Sequence, residues 1–133
     1  MIKDKVLIVH DYHNVKNEVG QRGYYNKNLA NKFIKIPKHK FLYFHDMFSF
    51  DDVKHLIKKD QVVIFQSHSP ELPSVEELNG GVSEKVYANI LKIEQTIFSR
   101  ANYIILPNKE CLPIYKSVLS KKHKVLFLRT GIK

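Results

Sequence analysis

Histidines close three of the apolar runs of this chain, as His10, His45 and His68, with Asp11, Asp46 and Ser67 beside them. An imidazole titrates near neutrality, and either ring nitrogen can donate or accept. At the rim of a cleft it can therefore orient a hydroxyl group or carry a proton. "VVIFQSHSPELPS" makes His68 the sharpest of the three, because Ser67-His68-Ser69-Pro70 ends an apolar run expected to be a buried strand. The structural alternative is a ring that caps or packs at a strand end. Asp11 and Asp46 stand at similar exits, where an aspartate more often serves a turn or a cap than a reaction.

A second candidate lies after the first exit, in "HDYHNVKNEVGQRGYYNKNLA". Gly20 and Gly23 bracket Gln21 and Arg22 ahead of a helical pattern. Glycines there let backbone approach a ligand, and a following helix N-terminus favours an anion. The segment matches neither G-x-G-x-x-G nor a Gly-Lys-Ser/Thr phosphate loop. A flexible loop explains it equally well. The last exit presents Arg129, Thr130 and Gly131.

Glu94 is marked by periodicity. Val86, Tyr87, Ile90, Leu91, Ile93, Ile97 and Phe98 fill one arc of a helix, and Glu94 falls inside that arc. A carboxylate there needs a partner, and Arg129 and His68 are the candidates; the expected role is a structural tie. No metal site follows from His10-x-x-His13 and a distant His68, and Cys111 lacks a second cysteine. Packing at a helix start is the expectation for Cys111.

These residues must be held by strands. Five short β-rich runs are legible: 5–10, 40–45, 61–66, 102–106 and 124–128. They are nearly continuous in apolar residues, which predicts strands covered on both faces. Helical patterns separate them, over 23–36, 51–59 (N-cap Ser49 or Asp51), 83–99 and 109–119. Strand and helix alternate, which predicts an α/β, Rossmann-like doubly wound, mostly parallel five-stranded sheet with helices on both faces. In such sheets ligands bind beyond the carboxyl ends of the strands, where the residues above lie.

With 133 residues the chain is read as one domain, 1–133. No apolar run approaches the roughly 18 to 20 residues of a membrane span. The N-terminus lacks the pattern of a signal peptide, and one cysteine fits a reducing compartment, so a cytoplasmic location is expected. Lys and Arg number 22 against 13 Asp and Glu, a net +9, which favours an anionic partner: nucleotide phosphates, an acidic membrane leaflet or nucleic acid. The lysine groups 35/38/40, 58/59 and 121/122/124 fall at expected helix ends, where they also complement helix dipoles. No nucleic-acid recognition motif accompanies them.

The run "EKVYANILKIEQTIFSRANYIILPNKECLPIYKSVLSKKHKVLFLRTGIK", with "VVIFQSHSPELPS" upstream, resembles the closing half of the N-terminal domain of GT-B type glycosyltransferases, the retaining family 4 branch in particular. The likeness is specific from Gln61 to Ile132. It implies the acceptor-side wall of a cleft for sugar transfer from a nucleotide sugar to a sugar or lipid-linked acceptor, without a cofactor. His68 would face the sugar there. Asp11, Gly20, Arg22, Gly23, Ser67, Arg129, Thr130 and Gly131 would contribute to substrate binding. Arg129-Thr130 stand where the family usually has Pro-Asn. The family's donor-binding domain has no counterpart in this sequence, so the chain would be inactive or nearly so without a second chain that supplies it. An exposed apolar or mixed face, self-association and docking on the inner face of an anionic membrane are further expectations. From another class, a non-catalytic Rossmann- or flavodoxin-like module binding a nucleotide, flavin or protein fits the same pattern. A phosphoacceptor receiver does not, because Ser67-His68 and Arg129 replace its aspartate and lysine.

Overall fold

The computed structural model describes residues 6–9 and 35–128. Its centre is a five-stranded sheet: β1 (Val6–Val9), β2 (Phe41–Phe44), β3 (Val62–Gln66), β4 (Tyr103–Leu106) and β5 (Lys124–Phe127). All four strand pairings are parallel. Among the described residues four α-helices intervene: α1 (Met47–Val53), α2 (Pro73–Asn79), α3 (Glu84–Arg100) and α4 (Leu112–Tyr115). This is the parallel α/β, Rossmann-like architecture that the alternation of patterns predicts.

The winding is simpler than the expected double winding. The strands lie in the order β1-β2-β3-β4-β5, so neighbours in sequence are neighbours in space throughout. A doubly wound sheet of five strands has the order 2-1-3-4-5, and the reversal in it creates the crevice where ligands settle. Right-handed crossovers in an unreversed order deliver their helices to one face. The packing agrees: α1 and α3 touch each other, Phe50 of α1 stands edge-on to Phe44, and Phe98 of α3 stands edge-on to Phe65.

Register explains the core. Val9, Phe44, Phe65 and Ile104 are aligned across four strands on the helix-covered face, and Leu7, Leu42 and Val63 form the row before them. All seven are buried. Cover on both faces, the expectation from the continuous apolar runs, is not what β1 shows, since its burial alternates. Val6, Ile8 and Leu126 stay about half exposed, at 49%, 45% and 51%, which leaves apolar surface on the sheet. None of the described helices is long and apolar enough to cross a membrane.

Helix starts follow local chemistry. Asp46 caps α1, accepting from the Ser49 amide at 2.8 Å and the Ser49 hydroxyl at 2.9 Å. The helix thus begins before the expected Ser49 or Asp51 cap. Ser83 caps α3 by accepting from the Val86 amide, as a serine ahead of a periodic run should. Helix α2 is absent from the sequence reading; Pro73 opens it at a position where its missing N–H costs nothing. The expected helix 109–119 is instead a 3-10 turn (Lys109–Cys111) followed by the single turn of α4. The expected helix 23–36 falls, up to residue 34, outside the described residues.

Phe98 sits at the junction of the layers, 5.3 Å from the Phe65 ring and 5.9 Å from the Tyr115 ring. Phe98→Ala should cost about 3–5 kcal/mol, as other buried phenylalanine truncations do. Urea unfolding of the variant checks this through its midpoint.

Candidate functional site

The carboxyl ends of β2 and β3 open into a pocket of about 210 Å³, whose lining includes His45, Asp46, Gln66, Ser67, His68 and Glu76. That is smaller than the roughly 300 Å³ at which drug-sized sites begin. It suits a single ring or a small polar group. The floor comes from β3, where side chains alternate in direction: Ser67 turns to the helix layer and His68 away from it.

His45 and His68, one from each strand end, meet ring to ring. His45 Nδ1 lies 3.1 Å from His68 Nε2, and the ring planes differ by 11°. The centroids are 5.3 Å apart, about the N···N distance plus one ring radius at each end. The rings therefore lie edge to edge in nearly a common plane, with one proton between the two nitrogens. This geometry has a chemical consequence. In the neutral pair, whichever ring donates, one outer nitrogen carries a proton and the other does not. Tyr43 backs the pair: its ring lies 5.0 Å from that of His45, and its hydroxyl donates to Gln66 Oε1 at 2.5 Å. Partial burial raises the Tyr43 pKa, which keeps the phenol a donor.

The loop that carries His68 is fastened from the helix layer. Tyr115, fully buried on α4, places its hydroxyl 2.6 Å from Ser67 Oγ and 2.7 Å from both the Ser69 and Glu71 carbonyls. A phenol has one hydrogen, and the two carbonyls can only accept. Ser67 thus donates to Tyr115, and Tyr115 donates to the carbonyl pair. Farther along, Glu94 takes both donors of Ser74: the amide at 2.9 Å on one carboxylate oxygen and the hydroxyl at 2.8 Å on the other. Glu94 is only 1% exposed. Among the described residues its partner is Ser74, not the expected His68. His68 is paired with His45 instead, and Arg129 lies outside the described residues. Ser74, at the start of α2, satisfies the carboxylate.

Of the remaining candidates, Ser67 is buried and belongs to the loop anchor. Asp11, Gly20, Arg22, Gly23, Thr130 and Gly131 also lie outside the described residues. Cys111 is buried and donates weakly to Asn108 Oδ1 at 3.5 Å. Among the described residues no group of three or more His, Cys, Asp or Glu side chains could hold a metal ion. Sequence reasoning missed the pairing of His45 with His68 and the anchoring by Tyr115. The first follows from strand order, since β2 and β3 are neighbours here but would be separated by β1 in the order 2-1-3-4-5. Family models, curated proteins and solved structures provide no match to this chain, so the site rests on its own geometry.

Tyr115 supplies a test of the anchor. Burial is the main cause that pushes its pKa from 10.0 up to about 12, opposed by the hydrogen bond that Ser67 donates. The unfolded chain releases this proton from about pH 10, while the folded chain retains it to about 12. The neutral phenol's stabilisation is therefore complete below pH 10 and is lost as pH rises through 12, at ~1.4 kcal/mol per pH unit. Urea midpoints measured from pH 9 to 12 should fall more steeply for the native chain than for Tyr115→Phe. At pH 7 the same variant should be about 2 kcal/mol less stable, because buried acceptors are left unpaired.

Proposed function

We propose that the carboxyl-edge pocket binds the hydroxyl groups of a sugar, and that the chain acts as the acceptor-side half of a GT-B type transferase using a nucleotide sugar. The observation that carries this reading is the coplanar His45–His68 pair at the pocket rim. A sugar hydroxyl both donates and accepts, and neighbouring hydroxyls present the two roles side by side. His68 is exposed at this rim, and its outer nitrogen complements such a hydroxyl whichever of the two roles its tautomer assigns. The pocket volume suits one sugar ring rather than a whole nucleotide sugar, in keeping with a site that needs a second wall.

In this reading His68 orients the acceptor hydroxyl, and His45 holds the tautomer of His68 by sharing its proton. Glu94 takes no part in the transfer, since Ser74 occupies both of its oxygens. Chemistry on a glycosidic bond needs reactants held in place and water excluded. The chain alone should bind weakly and turn over little, with a partner or a second copy completing the cleft in the cytoplasm. The unreversed strand order favours a second reading, a non-catalytic binding module for a small hydroxylated ligand. The same pocket serves both.

Amide NMR of the labelled chain, titrated with monosaccharides and nucleotide sugars, tests the site. Shifts should cluster at His45, Gln66, Ser67 and His68. His68→Ala should weaken binding about tenfold, the worth of one well-made hydrogen bond. Shifts confined to other surfaces, or equal binding by the variant, would overturn the assignment. Turnover appearing only when a donor-domain chain is added would favour the transferase over the binding module.

A further inference from the structure

We propose that the amino-terminal edge of the sheet docks on an anionic lipid bilayer. In a parallel sheet every strand begins at the same edge. Here the unreversed order also sets the strand entrances side by side in sequence. Backbone bonds fix that row: Val62 N–H donates to Lys40 O at 2.8 Å, Asn102 N–H to Val63 O at 2.8 Å, and Lys124 N–H to Asn102 O at 3.0 Å. Arg100 staples it from behind, its guanidinium donating to the carbonyls of Lys58 and Gln61 and to Asn102 Oδ1. On this rigid edge Lys40, Lys58, Lys59, Lys121, Lys122 and Lys124 are all exposed, with Asp60 as the acidic residue among them. The opposite, carboxyl edge carries Asp46, Glu71, Glu76, Glu77 and Glu110. Among the described residues, acidic side chains thus outnumber lysines at the carboxyl edge, where Lys85 and Lys109 stand, and lysines prevail at the amino edge.

Helix-dipole compensation accounts for lysines at helix ends. It does not account for Lys40 and Lys124, which stand at strand entrances. The chemistry of the row selects a lipid surface over a nucleic acid. Among the described residues, the guanidinium at this edge, that of Arg100, is spent on internal acceptors. Tyr103, the aromatic ring at the β4 entrance, already has the Lys124 ammonium over one face, 5.9 Å from the ring centroid. Lys122 donates to the Ser99 carbonyl; the other lysines of the row are ammonium groups on flexible stems, which gain from a plane of negative headgroups without needing a fork or a stack. The pocket lies at the other end of the same strands. A chain docked this way turns its candidate site away from the bilayer, toward soluble ligand. The proposal is independent of the ligand assigned to that pocket.

Co-flotation of the full chain with vesicles tests it, using phosphatidylcholine alone and mixtures with about one third phosphatidylserine. Lys40→Gln, Lys59→Gln and Lys121→Gln are combined in one variant; their side chains make no hydrogen bond or ion pair among the described residues. A control combines Lys85→Gln, Lys92→Gln and Lys109→Gln, which removes equal charge elsewhere. The native chain should bind the anionic vesicles and lose them in high salt. Each lysine contributes about fivefold, so the edge variant should bind roughly 100-fold more weakly, and the control should fall far less. No binding to anionic vesicles would overturn the proposal, as would equal losses in the two variants. Displacement from vesicles by a short single-stranded oligonucleotide would overturn it in favour of nucleic acid.

Discussion

A carboxylate buried to 1% exposure needs donors, and Ser74 supplies both an amide and a hydroxyl to Glu94. That pairing ties the start of α2 to the middle of α3 and fixes where the chain goes after leaving β3. Tyr115 fastens the same segment closer to the strand, through Ser67, Ser69 and Glu71. With both ends of the loop held, His68 has a fixed backbone position next to His45. The imidazole pair is exposed polar chemistry resting on a buried polar frame. Hydrogen bonds to a charged acceptor are worth about 1.5–3 kcal/mol each, enough to make this loop a stable part of the fold.

The unreversed order of the sheet governs the rest. It brings the ends of β2 and β3 together, and with them the two histidines. It also removes the switch-point crevice on which a doubly wound sheet depends, so the candidate site sits at strand ends without that crevice. The same order aligns the entrances of β2 to β5 at the opposite edge, where Gln61 and Arg100 hold the turns by bonding backbone carbonyls. Among the described residues the two edges therefore differ: the carboxyl edge presents the histidine pair and most of its charge as carboxylates, and the amino edge presents lysines. Burial lowers the pKa of Arg100, yet a guanidinium remains charged and continues to serve as the staple.

Much of this was legible in the sequence. Each strand lies within the run that predicts it, because short β-rich apolar stretches between helical patterns have few other solutions. The long helix was marked by its apolar arc and by Ser83 at its start, and Glu94 stood out as the charged residue inside the arc. Its partner was not legible. Ser74 lies 20 residues away in a segment whose two prolines read as a loop, although Pro73 in fact opens a helix. Strand order was not legible either: five alternating units are compatible with several windings, and the run of apolar residues in β1 disguised a half-exposed face. Tyr115 was hidden for a related reason, since a single tyrosine in a short helix gives no sign that its hydroxyl will meet a loop 44 to 48 residues earlier.

The central claim is that the loop after β3 is locked by Glu94 and Tyr115, and amide hydrogen exchange measures it directly. If the account holds, the amides of Ser67 and Ser74 exchange as slowly as those of Val63 and Phe65 in the strand. Exchange at Ser74 orders of magnitude faster than in β3 would mean that the loop opens on its own. His68 would then have no fixed place from which to meet His45.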